Sequence, residues 1–238
     1  MNLKLMWNYL DDTFGQTIIH PQYFSKVADY QSLKEVKRHP KGTFLDIGCG
    51  RQWYRKDLED LFINYYAQDH PKISKLYLSS YPVELKSNAT NIPLPEKSVN
   101  LALMIRVFEH LPDPEKALKE IKRILKPKGV LIICTVENYP GHDFPYNYYH
   151  WTKFGLKETL KRNNFQIKKL QSFGNFWETQ VVFQNVYLMH FVKKFPPLLL
   201  LFGPIMILAN IAALVLGRRK VTENYALAHL LVAQHEQS

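Results

Sequence analysis

From Thr43 onward, short apolar runs in the sequence alternate with longer amphipathic stretches. The runs predict five strands, at residues 43–47, 64–68, 99–105, 130–135 and 166–171. Strands separated by stretches of helical length are typical of βαβ units, which pair their strands in parallel and cover the sheet with helices. We therefore expect an α/β fold built on a mostly parallel sheet.

The clearest helical pattern spans residues 114–126, where one face is apolar and the opposite face is rich in lysine. The apolar face consists of Ala117, Leu118, Ile121, Ile124 and Leu125. Pro127 and Gly129 follow and predict the end of this helix. Further helices are predicted at residues 153–163 and 175–192, and residues 225–234 predict a last strand.

The composition is typical of a globular protein, with 238 residues of which 46% are hydrophobic and 22% charged. Two cysteines, Cys49 and Cys134, are too few for a disulfide framework or a four-thiolate zinc site, which excludes a disulfide-rich secreted scaffold. Residues 1–14 hold no apolar run of signal-peptide length, so we expect no export signal and a cytoplasmic location. We predict a helical cap at 1–40, an α/β domain at 41–172 plus 221–238, and an apolar helical insertion at 173–220.

A glycine-rich turn follows the first predicted strand in the sequence FLDIGCG, residues 44–50. Gly48 and Gly50 allow a sharp bend and a close approach of the backbone to a ligand, and the start of a following helix would offer free N–H groups. Asp69 follows Asp46 by 23 positions (69 minus 46), at the end of the next strand. This offset is close to the ~20 residues at which a carboxylate reaches a bound ribose. The pattern predicts a nucleotide-type ligand at the carboxyl edge of the sheet.

These residues resemble the class I S-adenosylmethionine-dependent methyltransferases, especially the bacterial group with the type 11 methyltransferase domain. FLDIGCG resembles the first motif of that family, and QDHP around Asp69 resembles its ribose-binding strand end. Residues 88–135 resemble its adenine loop, fourth strand, helix and fifth strand. The resemblance implies a Rossmann-like, seven-stranded, mostly parallel sheet with helices on both faces, and S-adenosylmethionine as the cofactor.

The same resemblance assigns cofactor-binding residues by motif. It places the methionine moiety against the first motif, the ribose against Asp69, the adenine against the loop at 88–89 and the sulfonium near the end of the fourth strand. The residues implied are Asp46, Gly48, Cys49, Gly50, Asp69, Asn88, Ala89, Arg106 and Val107. Two positions depart from the family pattern, because Gln52 replaces a third glycine and Asn88 replaces an acidic residue.

The loop at 137–151 is rich in histidine and tyrosine, and it follows the strand beside the expected methyl donor. Ligands of open α/β sheets bind outside the carboxyl ends of the strands, so this loop is the expected acceptor-binding segment. Its candidate acceptor contacts are Asp143, Tyr146 and Tyr149, and its candidate general bases are His142 and His150. Aromatic packing is the alternative role for both histidines. For His110, helix-start packing is the expected role and general-base catalysis the alternative. No spacing in the sequence requires a metal.

Residues 197–216 form a run of 20 residues without a charge, which is about the length that a membrane-spanning helix needs. A single crossing would separate the last strand from its sheet, so three interpretations remain: a helix that lies in the membrane interface or enters and returns at Gly203 and Pro204, a homodimer contact, or a helix buried on the flank of the domain. Basic residues bracket the run, and we favour a peripheral membrane contact through residues 193–220 at the cytoplasmic face.

The sequence therefore predicts an S-adenosylmethionine-dependent methyltransferase acting on a small-molecule or saccharide acceptor, amphiphilic or lipid-linked in character. A catalytically inactive membrane-associated binding protein with the same fold is one alternative. An RNA methyltransferase is another, because the formal net charge is +10. Nucleic acid is not the expected partner, since a lysine face opposite an apolar face is typical of a solvated helix and no RNA-binding module is recognised.

Overall fold

The structure is a computed structural model that describes residues 8, 11–39, 41–75, 79, 81–218 and 223–235. The chain divides into two compact units. The smaller unit holds the described residues up to Tyr30, together with Glu137–His142 and Ser172–Ala228. The larger unit holds Gln31–Val136, Asp143–Gln171 and the described residues from His229 onward.

Seven strands form one sheet in the order β3-β2-β1-β4-β5-β7-β6. The strands are β1 Thr43–Ile47, β2 Asn64–Asp69, β3 Leu85–Lys86, β4 Val99–Ile105, β5 Leu125–Val136, β6 Phe165–Phe173 and β7 Ala228–His235. Strand β1 pairs in parallel with both β2 and β4, and β4 pairs in parallel with β5. The predicted α/β fold with a seven-stranded, mostly parallel Rossmann-like sheet is confirmed.

The predicted strands differ from the observed ones mainly at their ends. Strand β5 begins at Leu125, five residues before the predicted start at 130, because the chain is already paired with β4 where Leu125 lies opposite Val99. The last strand begins at Ala228 and not at 225, because residues Glu223–Tyr225 form a 3-10 turn. Strand β3 has only two residues and was not predicted, since two residues carry no periodicity.

The helices whose full bounds lie in the described residues are α1 Tyr23–Val36, α2 Pro114–Ile124, α3 Lys153–Arg162, α4 Phe176–Lys194 and α5 Leu199–Gly217. Asp113 caps α2 by accepting a hydrogen bond from the backbone N–H of Lys116. The predicted apolar face of α2 is buried in the core together with Leu45, Met104 and Ile133 of the sheet. Burial of this apolar helix face stabilises its packing against the strands of the sheet.

In the smaller unit, α4 and α5 form a helical hairpin that packs through Met189, Val192 and Met206. Two buried asparagines join the hairpin to the N-terminal residues. Asn185 Nδ2 donates to Asn210 Oδ1 over 3.0 Å, and Asn210 Nδ2 donates to the carbonyls of Ile18 and His20 over 2.7 and 3.0 Å. The inward side of this apolar hairpin therefore carries hydrogen-bonded amides.

Candidate active site

A cavity of about 480 Å³ opens at the carboxyl ends of β1, β2 and β4 in the larger unit. This volume lies within the ~300–1,000 Å³ typical of small-molecule and cofactor sites. Parallel strands end at the same edge of a sheet, and so residues far apart in the sequence meet there. The lining comprises Ile47, Gly48, Gln68, Asp69, His70, Lys72, Ile73, Asn88, Ala89, Arg106, Val107, His110, Leu111, Pro112, Asp143, Phe144, Tyr146 and Tyr148.

The glycine turn after β1 brings the backbone against the end of β4. Gly48 has a φ of 66°, and a Cβ added to it would lie 2.4 Å from Val107 Cγ2. Only a glycine avoids this clash, and only a glycine adopts this φ without strain. The turn therefore leaves backbone, and no side chain, facing the cavity at residue 48.

Asp69 ends β2, and its carboxylate is held in place by two backbone donors. The N–H of Gly50 donates to Oδ2 over 3.1 Å, and the N–H of His70 donates to Oδ1 over 2.6 Å. Burial raises the pKa of Asp69, because loss of water disfavours the charged form, and the two backbone hydrogen bonds oppose that rise. A carboxylate accepts about four hydrogen bonds, so each oxygen keeps capacity for a hydroxyl group from a ligand.

Asp46 occupies a different environment from the one implied by the resemblance. Its carboxyl is fully buried and is absent from the cavity lining, and both oxygens accept hydrogen bonds from tyrosines. Tyr54 Oη lies 2.8 Å from Oδ1, and Tyr65 Oη lies 3.0 Å from Oδ2. Burial raises the pKa of Asp46 to about 7, although the two tyrosine hydrogen bonds lower it. In this structure Asp46 positions the tyrosines behind the turn, and the assigned methionine contact stays a prediction.

The segment after the glycine turn forms two 3-10 turns, Arg55–Asp57 and Glu59–Leu61, where the sequence predicted the start of a helix. Gln52 has a φ of 54°, so it takes the left-handed conformation that a glycine would adopt. Its side-chain amide nitrogen, Nε2, donates to the carbonyls of Tyr81 and Pro82 over 3.3 and 2.9 Å. Gln52 therefore connects the turn after β1 to the loop at residues 81–82 by hydrogen bonds.

Arg55 strengthens this connection with charged hydrogen bonds. Its Nη1 donates to Glu84 Oε1 over 2.8 Å, and its Nε donates to Glu59 Oε2 over 3.0 Å. Its guanidinium also lies 4.7 Å from the centre of the Tyr65 ring, within cation–π range. These contacts stabilise the 3-10 turns after β1, where an α-helix was expected.

The loop implied to bind adenine borders the cavity at Asn88 and Ala89. Asn88 Oδ1 accepts from both the N–H and the hydroxyl of Thr90, over 3.0 and 3.1 Å. Gln68 Nε2 donates to the carbonyl of Ser87 over 2.6 Å, which ties the loop to β2. Asn88 therefore shapes the turn, while the small buried side chain of Ala89 leaves room beside it.

Arg106 and Val107 follow β4 and both line the cavity. Arg106 has a φ of 57°, a conformation that is costly for a residue with a side chain, and its N–H donates to the carbonyl of Cys134 over 2.9 Å. Cys49 and Gly50, by contrast, are not among the lining residues. Burial raises the pKa of the Cys49 thiol, so this residue is a protonated spacer within the turn.

The cavity lining also contains His110, Asp143, Tyr146 and Tyr148. His110 Nδ1 lies 3.0 Å from the carbonyl oxygen of Tyr146, and its Nε2 lies 3.9 Å from Asp143 Oδ2. A carbonyl oxygen only accepts, so Nδ1 carries the hydrogen and Nε2 is the basic nitrogen of the neutral ring. The sequence favours packing for His110, with general-base catalysis as the alternative, and the structure places this residue in the cavity lining.

The remaining candidates of the 137–151 loop, His142, Tyr149 and His150, are not among the residues that line the cavity. His142 belongs to the smaller unit, where its Nδ1 lies 3.1 Å from the carbonyl of Pro140 and its ring packs edge-on against Tyr139. His150 is exposed, and its Nε2 lies 3.2 Å from Asn147 Oδ1. Tyr149 stacks on Trp151 with ring centres 5.0 Å apart. His150 and Tyr149 are not among the lining residues of the cavity, and the catalytic roles of both histidines stay predictions.

Comparisons with known proteins find related methyltransferases. Residues 45–133 match the model of the methyltransferase domain. A probable S-adenosylmethionine-dependent methyltransferase of Mycolicibacterium smegmatis is 28% identical over 133 residues, which are 52% of this chain and 52% of that protein. The demethylmenaquinone methyltransferase of Chlamydia muridarum is 47% identical over 133 residues, or 55% of this chain and 50% of that protein. The chain spans about half the length of the curated relatives it matches.

Solved structures confirm the fold. The crystal structure of the [4+2]-cyclase SpnF superposes with a TM-score of 0.59 at 17% identity, covering 90% of this chain and 81% of that one. The cavity residues also fit S-adenosylmethionine, because Gly48 presents backbone, Asp69 presents a carboxylate and Ala89 leaves an apolar recess in one connected space. Residues 45–133 therefore carry a methyltransferase domain, and the chain is similar to S-adenosylmethionine-dependent methyltransferases over about half of its length.

Proposed function

We propose that this chain transfers a methyl group from S-adenosylmethionine to an amphiphilic or lipid-linked acceptor, either a small molecule or a saccharide hydroxyl. One observation supports this most strongly. A single cavity joins the residues suited to the cofactor, Asp69 and Ala89, to a histidine, His110, beside a carboxylate, Asp143. A methyl donor and a proton-accepting group within one enclosed space are what transfer to a hydroxyl requires.

The residues that would hold the cofactor come from three strand ends. The methionine moiety would contact the backbone at Gly48. The Asp69 carboxylate would accept hydrogen bonds from the ribose hydroxyls, and the adenine would lie against Ala89. Gly50 acts through Asp69, because its N–H holds the carboxylate in position. When bound, S-adenosylmethionine supplies an electrophilic methyl group on a sulfonium sulfur.

The chain must then align the acceptor and remove its proton. An in-line displacement gains much of its rate from alignment alone. The residues that line the cavity would align the acceptor. For a hydroxyl acceptor, His110 Nε2 would take up the proton that the hydroxyl loses. The Asp143 carboxylate lies 3.9 Å from this nitrogen, on the same cavity.

The opening of the cavity favours an acceptor with both apolar and polar parts. Phe144, Tyr146 and Tyr148 are exposed by 76%, 42% and 48% while also lining the cavity. Exposed aromatic rings beside His110 and Asp143 offer apolar contact area together with polar groups. A relative in Chlamydia muridarum is named for methylating demethylmenaquinone, which supports the choice of small-molecule acceptors over macromolecules in the first tests.

The experiment is a transfer assay with S-adenosylmethionine labelled in the methyl group. Purified protein is incubated with a total lipid extract, an aqueous metabolite extract and total RNA in separate reactions. We expect label in the organic phase of the lipid reaction. The variant His110→Gln should lose this label while still binding S-adenosylhomocysteine.

Each other outcome overturns a stated part of the proposal. Label in RNA alone, with a steep dependence of binding on salt, identifies an RNA methyltransferase. Label in the aqueous extract alone contradicts an amphiphilic acceptor. Cofactor binding without transfer to any of the three extracts favours a binding protein that keeps the methyltransferase fold.

A further inference from the structure

Helix α5 has its polarity reversed relative to a helix of a water-soluble protein. Its one amide side chain, Asn210, is fully buried, whereas its outward positions are aliphatic. Leu200, Leu208 and Val215 are exposed by 85%, 66% and 59%. Within the stretch Pro196–Gly217, which is long and apolar enough to cross a membrane, only 17% of an 18-residue window is buried. Exposure of such a face to water is unfavourable. A contiguous exposed apolar area of this kind marks a binding surface.

Helix α4 extends the apolar surface with aromatic side chains. Phe183, Tyr187 and Phe191 follow one another at intervals of four residues, and all three are exposed. Residues spaced by four share one side of a helix, so these rings form a continuous stripe. Tyr187 and Phe191 contact each other edge-to-face, with ring centres 5.1 Å apart. Large aromatic rings are favoured at the boundary between water and lipid.

Basic residues lie at both ends of helix α5. Lys193 and Lys194 occupy the last turn of α4, and Arg218 follows α5, and all three are exposed. Arg219 and Lys220, which the sequence also placed at this end, lie outside the described residues. Lysine and arginine near a membrane surface are attracted to anionic headgroups. A second copy of this chain, with a net charge of +10, would bring like charges together at the same face.

The connections of the hairpin exclude a single crossing of a membrane. Helices α4 and α5 lie in the chain between β6 and β7, which are neighbours in one sheet. Both ends of the hairpin must therefore lie on one side of a bilayer. A crossing by both helices would carry Glu178, Gln184 and His190 of α4 into the hydrocarbon, which is costly.

We propose that the outward face of the α4–α5 hairpin docks on the surface of a lipid bilayer with anionic headgroups. The aliphatic side chains of α5 and the aromatic stripe of α4 enter the interface, and Lys193, Lys194 and Arg218 contact the headgroups. Asn185 and Asn210 keep the hairpin in this conformation by hydrogen bonds on its inner side, so the apolar face is formed before the membrane is met. This inference is independent of whether the chain transfers a methyl group.

The test is co-sedimentation of the full chain with vesicles of phosphatidylcholine alone or of phosphatidylcholine mixed with phosphatidylglycerol. We expect binding to the mixed vesicles that weakens with added salt, and weaker binding to the neutral ones. Leu208→Gln/Val215→Gln should reduce the partition coefficient by about tenfold per residue, because each aliphatic side chain is lost from the interface. The matched control is Ile63→Gln, which alters a residue exposed by 79% in the larger unit.

A second pair of variants tests the charges. Lys193→Glu/Lys194→Glu should weaken binding to the mixed vesicles by at least about fivefold per residue and leave binding to neutral vesicles nearly unchanged. The control Lys157→Glu/Lys161→Glu reverses two exposed lysines on α3 and should have a smaller effect. Circular dichroism and thermal unfolding show whether each variant is folded.

Two results would overturn the proposal. In one, the folded Leu208→Gln/Val215→Gln variant binds vesicles as tightly as the wild type. In the other, the wild type binds neither vesicle, and sedimentation equilibrium shows a dimer that the same variant dissociates. The second result would assign this face to a second copy of the chain.

Discussion

The hydroxyl of Tyr54 donates to Asp46 Oδ1 over 2.8 Å, at a carboxyl group that has no exposed surface. The pKa of Asp46 is raised from 3.8 to about 7, mainly by burial. Between these two values the folded protein holds a proton that the unfolded chain has lost. The contribution of Asp46 to stability is therefore full below about pH 4 and is lost as the pH rises through about 7.

The variant Asp46→Asn should remove this pH dependence. Relative to the variant, the wild type should lose free energy of unfolding, by up to about 4 kcal/mol, between about pH 4 and about pH 8. Denaturant unfolding at both pH values measures the difference. Asp57→Asn alters an exposed carboxylate in the neighbouring 3-10 turn and serves as the control. Parallel pH profiles of the wild type and Asp46→Asn would show that Asp46 titrates as an ordinary carboxylate.

Gly48→Ala should destabilise the protein by about 1–3 kcal/mol, because its Cβ would lie 2.4 Å from Val107 Cγ2 at a φ of 66°. Adding Val107→Ala should recover part of this loss, since it removes the clashing atoms but not the backbone strain. At Gly203, in α5, a new Cβ meets only the Leu199 side chain at 3.7 Å, so Gly203→Ala should be neutral or stabilising. Thermal unfolding compares the four proteins, and equal losses at both glycines would contradict the packing described here.

His110→Gln should lower the turnover of a hydroxyl acceptor by about a hundredfold to ten-thousandfold, the usual contribution of a general base. The affinity for S-adenosylhomocysteine should stay unchanged, because the cofactor residues are elsewhere in the cavity. His150→Gln is the comparison, since His150 is exposed and outside the cavity lining. A larger effect of His150→Gln than of His110→Gln would return the catalytic role to the 137–151 loop.

Asn210→Leu should cost about 1–3 kcal/mol of stability, because the carbonyl of Ile18 would lose its side-chain donor and that of His20 would keep only the N–H of Tyr23. A double-mutant cycle with Asn185→Leu should show a coupling energy above about 0.5 kcal/mol, since the two amides share a hydrogen bond. Chemical denaturation of the two single variants and the double variant provides the cycle. Additive losses would mean that the two asparagines act separately.

The sequence predicted β1 and β4 with their observed ends because clear turn residues follow both strands. It also predicted the positions of Gly48 and Asp69 at the edge of the sheet, since parallel strands bring their carboxyl ends together. These features depend on local pattern and on topology, which a single sequence carries. Their presence was enough to identify the fold.

The surroundings of single side chains were less predictable. Asp46 was assigned to the ligand, but its partners Tyr54 and Tyr65 lie 8 and 19 positions away and turn the carboxyl into the core. The 3-10 turns after β1 depend on the contact of Arg55 with Glu84, 29 positions away. His110 follows a strand in a segment that resembles a helix start, and only the folded 137–151 loop turns that segment into a cavity wall. Such long-range contacts have no local pattern.

Calorimetric titration with S-adenosylmethionine and S-adenosylhomocysteine, on the wild type and on Asp69→Ala, tests the cofactor site. We expect binding to the wild type, and a loss of about 10- to 100-fold in affinity for Asp69→Ala, because charged hydrogen bonds to the ribose contribute about 1.5–3 kcal/mol. Asp143→Ala, which alters another residue of the cavity lining, should bind the cofactor nearly as the wild type does. No heat and no thermal shift for the wild type with either ligand would contradict the assignment of this cavity to S-adenosylmethionine.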